Sequence, residues 1–146
     1  MVKPALLDGN VLIALFETDH IHHQVAHEWL REQQRVFAAC PITVNGYLRI
    51  VTRSVRLGRP LTIPDMANRL QFFSQTVKWE FWPEDISLLD PSRFNLTKIA
   101  GSRQISDVYL LGIAVARGGI LATLDRSVTW GAVVGAKASD IEFVGG

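Results

Sequence analysis

Short apolar runs that end in polar turns alternate along this chain with stretches where apolar residues recur every three or four positions. Ala5-Leu6-Leu7 stops abruptly at Asp8-Gly9-Asn10, which predicts a buried strand with a polar turn at its carboxyl end. Asn10 is expected to cap a helix over Val11–Phe16, and Thr18-Asp19-His20 breaks that pattern. A second helix is predicted from about His23 to Gln33, with Val25, Ala26, Trp29 and Leu30 on one face. Val36–Cys40 reads as the next strand. Thr43 is placed to cap a helix from Val44 to about Val55, with Leu48, Val51 and Val55 inward. Leu57-Gly58-Arg59-Pro60 is a loop by its glycine and proline. Thr62 and Pro64 then open a helix to about Thr76. Lys78–Trp82 alternates as a strand, and Pro83–Leu96 reads as a short helix followed by loop. Ser106 is placed to cap the strongest helix, Asp107–Arg117, which Gly118-Gly119 stops. Ile120–Leu124 is a buried strand ended by Asp125, and Ile141–Val144 is a last strand.

Strands alternating with helices predict an α/β fold, with a mainly parallel central sheet flanked by helices. The 146 residues make one domain, residues 1–146, with no repeat, linker or low-complexity tract. A hydrophobic fraction of 48% and a charged fraction of 20% describe a globular chain rather than a disordered one. With 15 Lys+Arg against 14 Asp+Glu, the net charge of +1 excludes a protein that grips nucleic acid by bulk charge, though not a local basic rim. The single cysteine, Cys40, excludes an internal disulfide and Cys-rich zinc modules, and suits a reducing cytoplasm. The apolar runs near the start are too short for a signal peptide core or a membrane span, so no membrane association is expected.

The placement of the acids carries the chemistry. Asp8 and Asp125 each follow a short apolar strand, and Asp107 lies in the first turn of a helix. In an open parallel sheet the carboxyl ends of the strands share one edge, and ligands bind outside it. Three carboxylates far apart in sequence are thereby expected to converge. Such a cluster repels itself unless a cation is present, and hard oxygen ligands suit Mg²⁺ or Mn²⁺. An ion held this way activates water and neutralises a phosphodiester. Each acid also has a local explanation, as a turn former or a favourable charge at a helix end.

The opening Asp8-Gly9-Asn10-Val11-Leu12-Ile13 resembles that of PIN-domain ribonucleases. So does Ile105-Ser106-Asp107-Val108-Tyr109-Leu110-Leu111, followed by Gly118-Gly119 and Leu121-Ala122-Thr123-Leu124-Asp125-Arg126. Pro41-Ile42-Thr43-Val44-Asn45-Gly46-Tyr47-Leu48-Arg49-Ile50 resembles the segment after the second strand in VapC-type toxins. The likeness covers nearly the whole chain, in order. It implies a metal-dependent endoribonuclease, the toxin of a type II toxin–antitoxin pair, with a cognate antitoxin and a homodimeric assembly. Asp8, Asp107 and Asp125 match the family's metal-binding acids and would act as the catalytic set. Asn10 and Thr123 match supporting polar residues. The expected products are a 5′-phosphate and a 3′-hydroxyl. Val44 departs from the pattern, since the family commonly carries a glutamate there. That departure motivates a second reading, a catalytically impaired PIN-like protein that binds RNA or a partner without cutting. A small-molecule phosphohydrolase or phosphoacceptor domain is a third, against which Asn10 stands where a second aspartate is needed.

Other clusters compete for attention. His20, His22, His23 and His27 include a helical i, i+4 pair, but no third or fourth zinc ligand accompanies it. Arg49, Arg53 and Arg56 would form a helix stripe, with Arg59 in the loop beyond. Arg49, Arg53, Arg103 and Arg126 are the candidate contacts to RNA phosphates or to an antitoxin. Trp130, in the irregular segment after Asp125, is placed to stack on a base or close an interface. Trp29, Trp79, Trp82 and Cys40 read as core. Leu70, Phe72 and Phe73 give one helix more apolar surface than a core face needs.

Overall fold

The computed structural model of the chain describes residues 2–53, 55–56 and 59–146. Its element order is β1 (Ala5–Leu7), α1 (Gly9–Phe16), α2 (His23–Glu32), β2 (Phe37–Ala39), α3 (Pro41–Val51), β3 (Val55–Arg56), β4 (Arg59–Pro60), α4 (Ile63–Ser74), β5 (Trp79–Phe81), α5 (Ile105–Ala116), β6 (Ile120–Thr123) and β7 (Ile141–Phe143). Five strands form one parallel sheet in the order β5-β2-β1-β6-β7. β3 and β4 pair as a separate antiparallel ribbon.

Alternation along the strands sends successive side chains to opposite faces of the sheet. Ala5, Leu7, Ile120 and Ala122 join a core with residues of α1, α2, α3 and α4. Leu6, Ala38, Leu121 and Ile141 join a second core with α5 and the irregular segments. The sheet is thus covered on both sides, which is why the inner strands β1 and β2 are apolar throughout. After β1 the chain builds outward through β2 and β5, then returns to lay β6 and β7 on the other side of β1. The order reverses between β1 and β6, and a crevice opens there at the strands' carboxyl ends.

The predicted α/β sheet is present, and several local expectations change. α1 starts at Gly9 with Asp8 as its N-cap residue, so Asn10 is inside the helix and its side chain is free to bond elsewhere. α3 starts at Pro41 with Cys40 at the N-cap, because proline suits the first helical position. Thr43 lies three residues on, and its hydroxyl reaches back to accept from the Cys40 N–H at 3.0 Å. α3 ends at Val51, and Val55 belongs to β3 rather than to the helix. Ser106 lies inside α5, whose N-cap residue is Gln104. Gly118, at φ +69°, takes the left-handed conformation that ends α5. Val25 is exposed, so the inward face of α2 is carried by Ala26, Trp29 and Leu30. Of the predicted 57–60 loop, Arg59 and Pro60 form β4, while Leu57 and Gly58 lie outside the described residues.

No helix forms between Pro83 and Leu96. Ile86, Leu88 and Phe94 pack instead as an extended strap across the second core. Phe94 stacks on Tyr109 of α5 with centroids 6.2 Å apart and presses onto the helix backbone at Gly112, where a Cβ would lie 2.3 Å from the ring. On its other side the strap pairs with the segment after β6, through Asn95 N–H to Ala132 O at 2.8 Å and Val134 N–H to Arg93 O at 2.9 Å. No helix among the described residues is long and apolar enough to cross a membrane.

Candidate active site

Asp8, Asp107 and Asp125 meet at the crevice between β1 and β6. β1 delivers Asp8 and β6 delivers Asp125, while the first turn of α5 supplies Asp107. At the centre is Thr123, the last residue of β6 and fully buried. Its hydroxyl donates to Asp8 Oδ2 at 2.8 Å. The same oxygen accepts from the Asp125 N–H at 3.0 Å and from Asn10 Nδ2 at 3.3 Å. One donor and two lone pairs are all a hydroxyl has, so Thr123 is fully engaged. Asn10 closes the ring by accepting the Leu124 N–H at 3.2 Å. Release from capping α1 is what lets Asn10 tie β1's turn to β6's.

The electrostatics follow from burial and proximity. Burial pushes the Asp8 carboxyl up, against the pull of the Thr123 hydroxyl and the Gly9 amide, and the Asp125 charge adds to the rise. Asp107 is pushed up to about 7, first by burial, then by the charges of Asp8 and Asp125, and by a hydrogen bond with Asp125. Asp125 moves down, because the Ser127 hydroxyl and backbone N–H both donate to it, at 2.7 and 2.9 Å. Asp107 therefore titrates near neutrality, and its protonated form is the one that sits favourably beside the ionised Asp125. Among the described residues no Lys, Arg or His forms an ion pair with any of the three acids. Nor is any group of three or more His, Cys, Asp or Glu already closed around one point able to take an ion. The donor set is nonetheless of the right chemistry for a hard divalent cation: carboxylate oxygens, uncompensated, with a shared proton doing part of the neutralising.

The other candidates are spread out. Arg126 follows Asp125 and Arg103 lies in the turn before α5, both exposed. Trp130 is 46% exposed in the segment after β6. Arg49 is in the last turn of α3, about 12 Å along the axis from the helix start at the sheet's carboxyl edge, and Arg53 lies past the helix end. The structure therefore does not bring Arg49 and Arg53 to the acids, and the side chains of Arg56 and Arg59 lie outside those described. Val44 lines an apolar groove with Leu48, Leu70, Trp79 and Phe81, a lining that includes none of the three acids. His23 and His27 bond the carbonyls of Ala14 and Leu15 at the end of α1, each at 2.7 Å, which accounts for their spacing without a metal. Burial pushes the Cys40 thiol up, as expected of a core cysteine. Ser127 escaped the sequence reading, although Asp-x-Ser is the signature of a turn in which the acid binds the backbone two residues on.

In an all-parallel α/β sheet the point where the strand order reverses is where a ligand site is expected, and the acids gather there. The PIN domain family matches residues 5–129, and the chain belongs to it. Curated relatives from Mycobacterium tuberculosis align over most of the chain. "Ribonuclease VapC44" is 37% identical over 133 residues, covering 90% of this chain and 93% of that one. "Ribonuclease VapC29" is 37% identical over 84% of this chain and 86% of its own. "Ribonuclease VapC39" is 35% identical over 90% and 95%.

Proposed function

We propose that this PIN domain is a metal-dependent endoribonuclease, the toxin of a type II toxin–antitoxin module, and that Asp8, Asp107 and Asp125 are its metal-binding and catalytic acids. The observation that carries the reading is the convergence of three mutually repelling carboxylates with no cationic partner among the described residues. Its support in the comparisons is that the aligned relatives are named ribonucleases.

Mg²⁺ or Mn²⁺, when bound, supplies charge neutralisation for the acids and the scissile phosphate and acidifies water at neutral pH. The chain's residues provide the rest. Thr123 fixes Asp8 and the Asp125 backbone relative to each other, and Asn10 locks the turn that follows β6. Ser127 keeps Asp125 ionised and oriented. Asp107 would have to give up its proton to hold such an ion, so ion binding would be weaker at low pH. Arg103 and Trp130 are exposed at the rim, where they can meet phosphate and base. The apolar groove of Phe16, Phe72 and Phe73 beside Arg69 offers surface for an antitoxin or for the second copy of a homodimer. The cytoplasm is the compartment that holds both RNA and the reducing conditions suited to a buried free cysteine.

The test is digestion of total cellular RNA by the purified chain in Mn²⁺ and in Mg²⁺, with Asp107→Asn as control. Discrete fragments that require the metal and vanish in the control are expected. RNA retained in chelator, with nothing released when Mn²⁺ is added, would establish instead a binder that does not cut. Val44→Glu would then be the variant to examine.

A further inference from the structure

Arg126 follows Asp125 directly, yet its guanidinium is turned away from the acids. It stands over the ring of Phe143, 5.2 Å from the centroid, and its Nη2 donates to the carbonyl oxygen of Gly146. Phe143 is the register partner of Thr123 on the adjacent parallel strand, about 4.8 Å across the sheet. The cation is therefore held one strand away from the hydroxyl that ties the acids together. Among the described residues no Asp or Glu side chain pairs with it. It is exposed, where an arginine without a partner ordinarily samples many rotamers.

A guanidinium with one face on an aromatic ring and one edge on a carbonyl keeps its remaining N–H donors in a fixed plane. That plane suits bidentate binding of a phosphate. A polyanionic strand approaching three acids is repelled until a cation takes up the charge, and a fixed arginine just outside the cluster offers a point of attachment that leaves the acids unpaired. We propose that Arg126, preset by Phe143 and the turn through Gly146, anchors an RNA phosphate next to the scissile one, with Phe143 as its positioning residue. This rests on the reading of the chain as a ribonuclease. The competing role is purely structural, with Arg126 as a clip for the turn after β7.

The two roles separate in binding of a short mixed-sequence single-stranded RNA, measured across a salt series in the Asp107→Asn background so that nothing is cut. Arg126→Ala should weaken binding about tenfold near physiological salt. The slope of log K against log salt should fall by about 0.7, one phosphate contact on a single strand. Arg126→Lys should restore the slope with only part of the affinity, because it keeps the charge and loses the fork. Phe143→Leu should keep the slope and weaken binding several-fold, and should it fail to fold, the two Arg126 variants decide alone. In the cutting protein, Arg126→Ala should raise KM and leave kcat. Arg126→Ala that binds with unchanged affinity and slope, while losing thermal stability, overturns the anchor and leaves the ribonuclease reading intact. An Asp107→Asn parent that binds no RNA at any salt overturns both.

Discussion

Replacing Asp107 by asparagine should stabilise the metal-free protein while abolishing cleavage. The carboxyl rises from an ordinary 3.8 to about 7 on folding, so between these values the folded state holds a proton that the unfolded chain has lost. Stability contributed by that proton is complete below the unfolded pKa and is lost as pH rises through 7. At about 1.4 kcal/mol per pH unit the full rise corresponds to roughly 4 kcal/mol. Asp107 is only half-buried, and solvent screening reduces the figure to about 2 kcal/mol. Asp125, whose pKa is lowered, titrates below this window. The wild-type chain in chelator should therefore be less stable at pH 8 than at pH 5 by about 1 kcal/mol more than the Asp107→Asn chain is, the rest of the loss falling below pH 5. Urea melts of both proteins at the two pH values measure this directly. The residual slope in the variant belongs to Asp8, which is raised by the same burial. Adding Mn²⁺ at pH 8 should recover the wild type and leave Asp107→Asn nearly unmoved. Equal pH dependence in the two proteins would refute the claim that the acids strain one another.

Three further outcomes follow from the hydrogen-bond geometry. Thr123→Val keeps the shape but strands Asp8, the Asp125 N–H and Asn10, and should cost about 3 kcal/mol in urea melts and most of the cleavage rate, with Thr123→Ser recovering both. His23→Ala and His27→Ala each free a carbonyl at the end of α1 and should cost about 1 kcal/mol without changing metal affinity, which calorimetry with Mn²⁺ would check. Tyr47→Phe removes the bond to the Met66 carbonyl at 3.0 Å and should cost about 1 kcal/mol in the same melts, with RNA cleavage unaffected.

Asp8 and Asp125 could be placed from sequence because buried parallel strands end at a common edge, and Asp107 because it opens a helix that starts at that edge. What the sequence could not show is how they are tied together. Thr123 meets Asp8 and Asn10 across 115 and 113 residues, and no local pattern encodes such a pairing. Asn10 looked like a helix cap because that is its commonest local use, and its side chain is spent on β6 instead. Thr43 was legible as a capping residue but not in which direction, since Pro41 moved the helix start behind it. The strap from Pro83 failed as a helix for the reason tertiary packing so often overrides pattern. Ile86, Leu88 and Phe94 are spaced for a core they meet in extended form, and turns at Asp90 and Asn95 hold that form. Arg49, Arg53 and Arg56 had the right spacing for a helix stripe, yet α3 ends at Val51, so only Arg49 is on the helix and Arg56 belongs to β3.

Gly112 inverts a familiar rule of protein engineering. A glycine inside a helix is ordinarily the first residue to replace by alanine, for a gain of about 1 kcal/mol. Here the added methyl would fall within 2.5 Å of two ring carbons of Phe94. That ring lies between the helix carrying Asp107 and the strap that pairs with the segment after Asp125. An alanine scan ranked by helix propensity would therefore set this change level with Gly46→Ala, where nothing lies within 4 Å, although only the one at Gly112 forces apart the strap and the helix that carries Asp107.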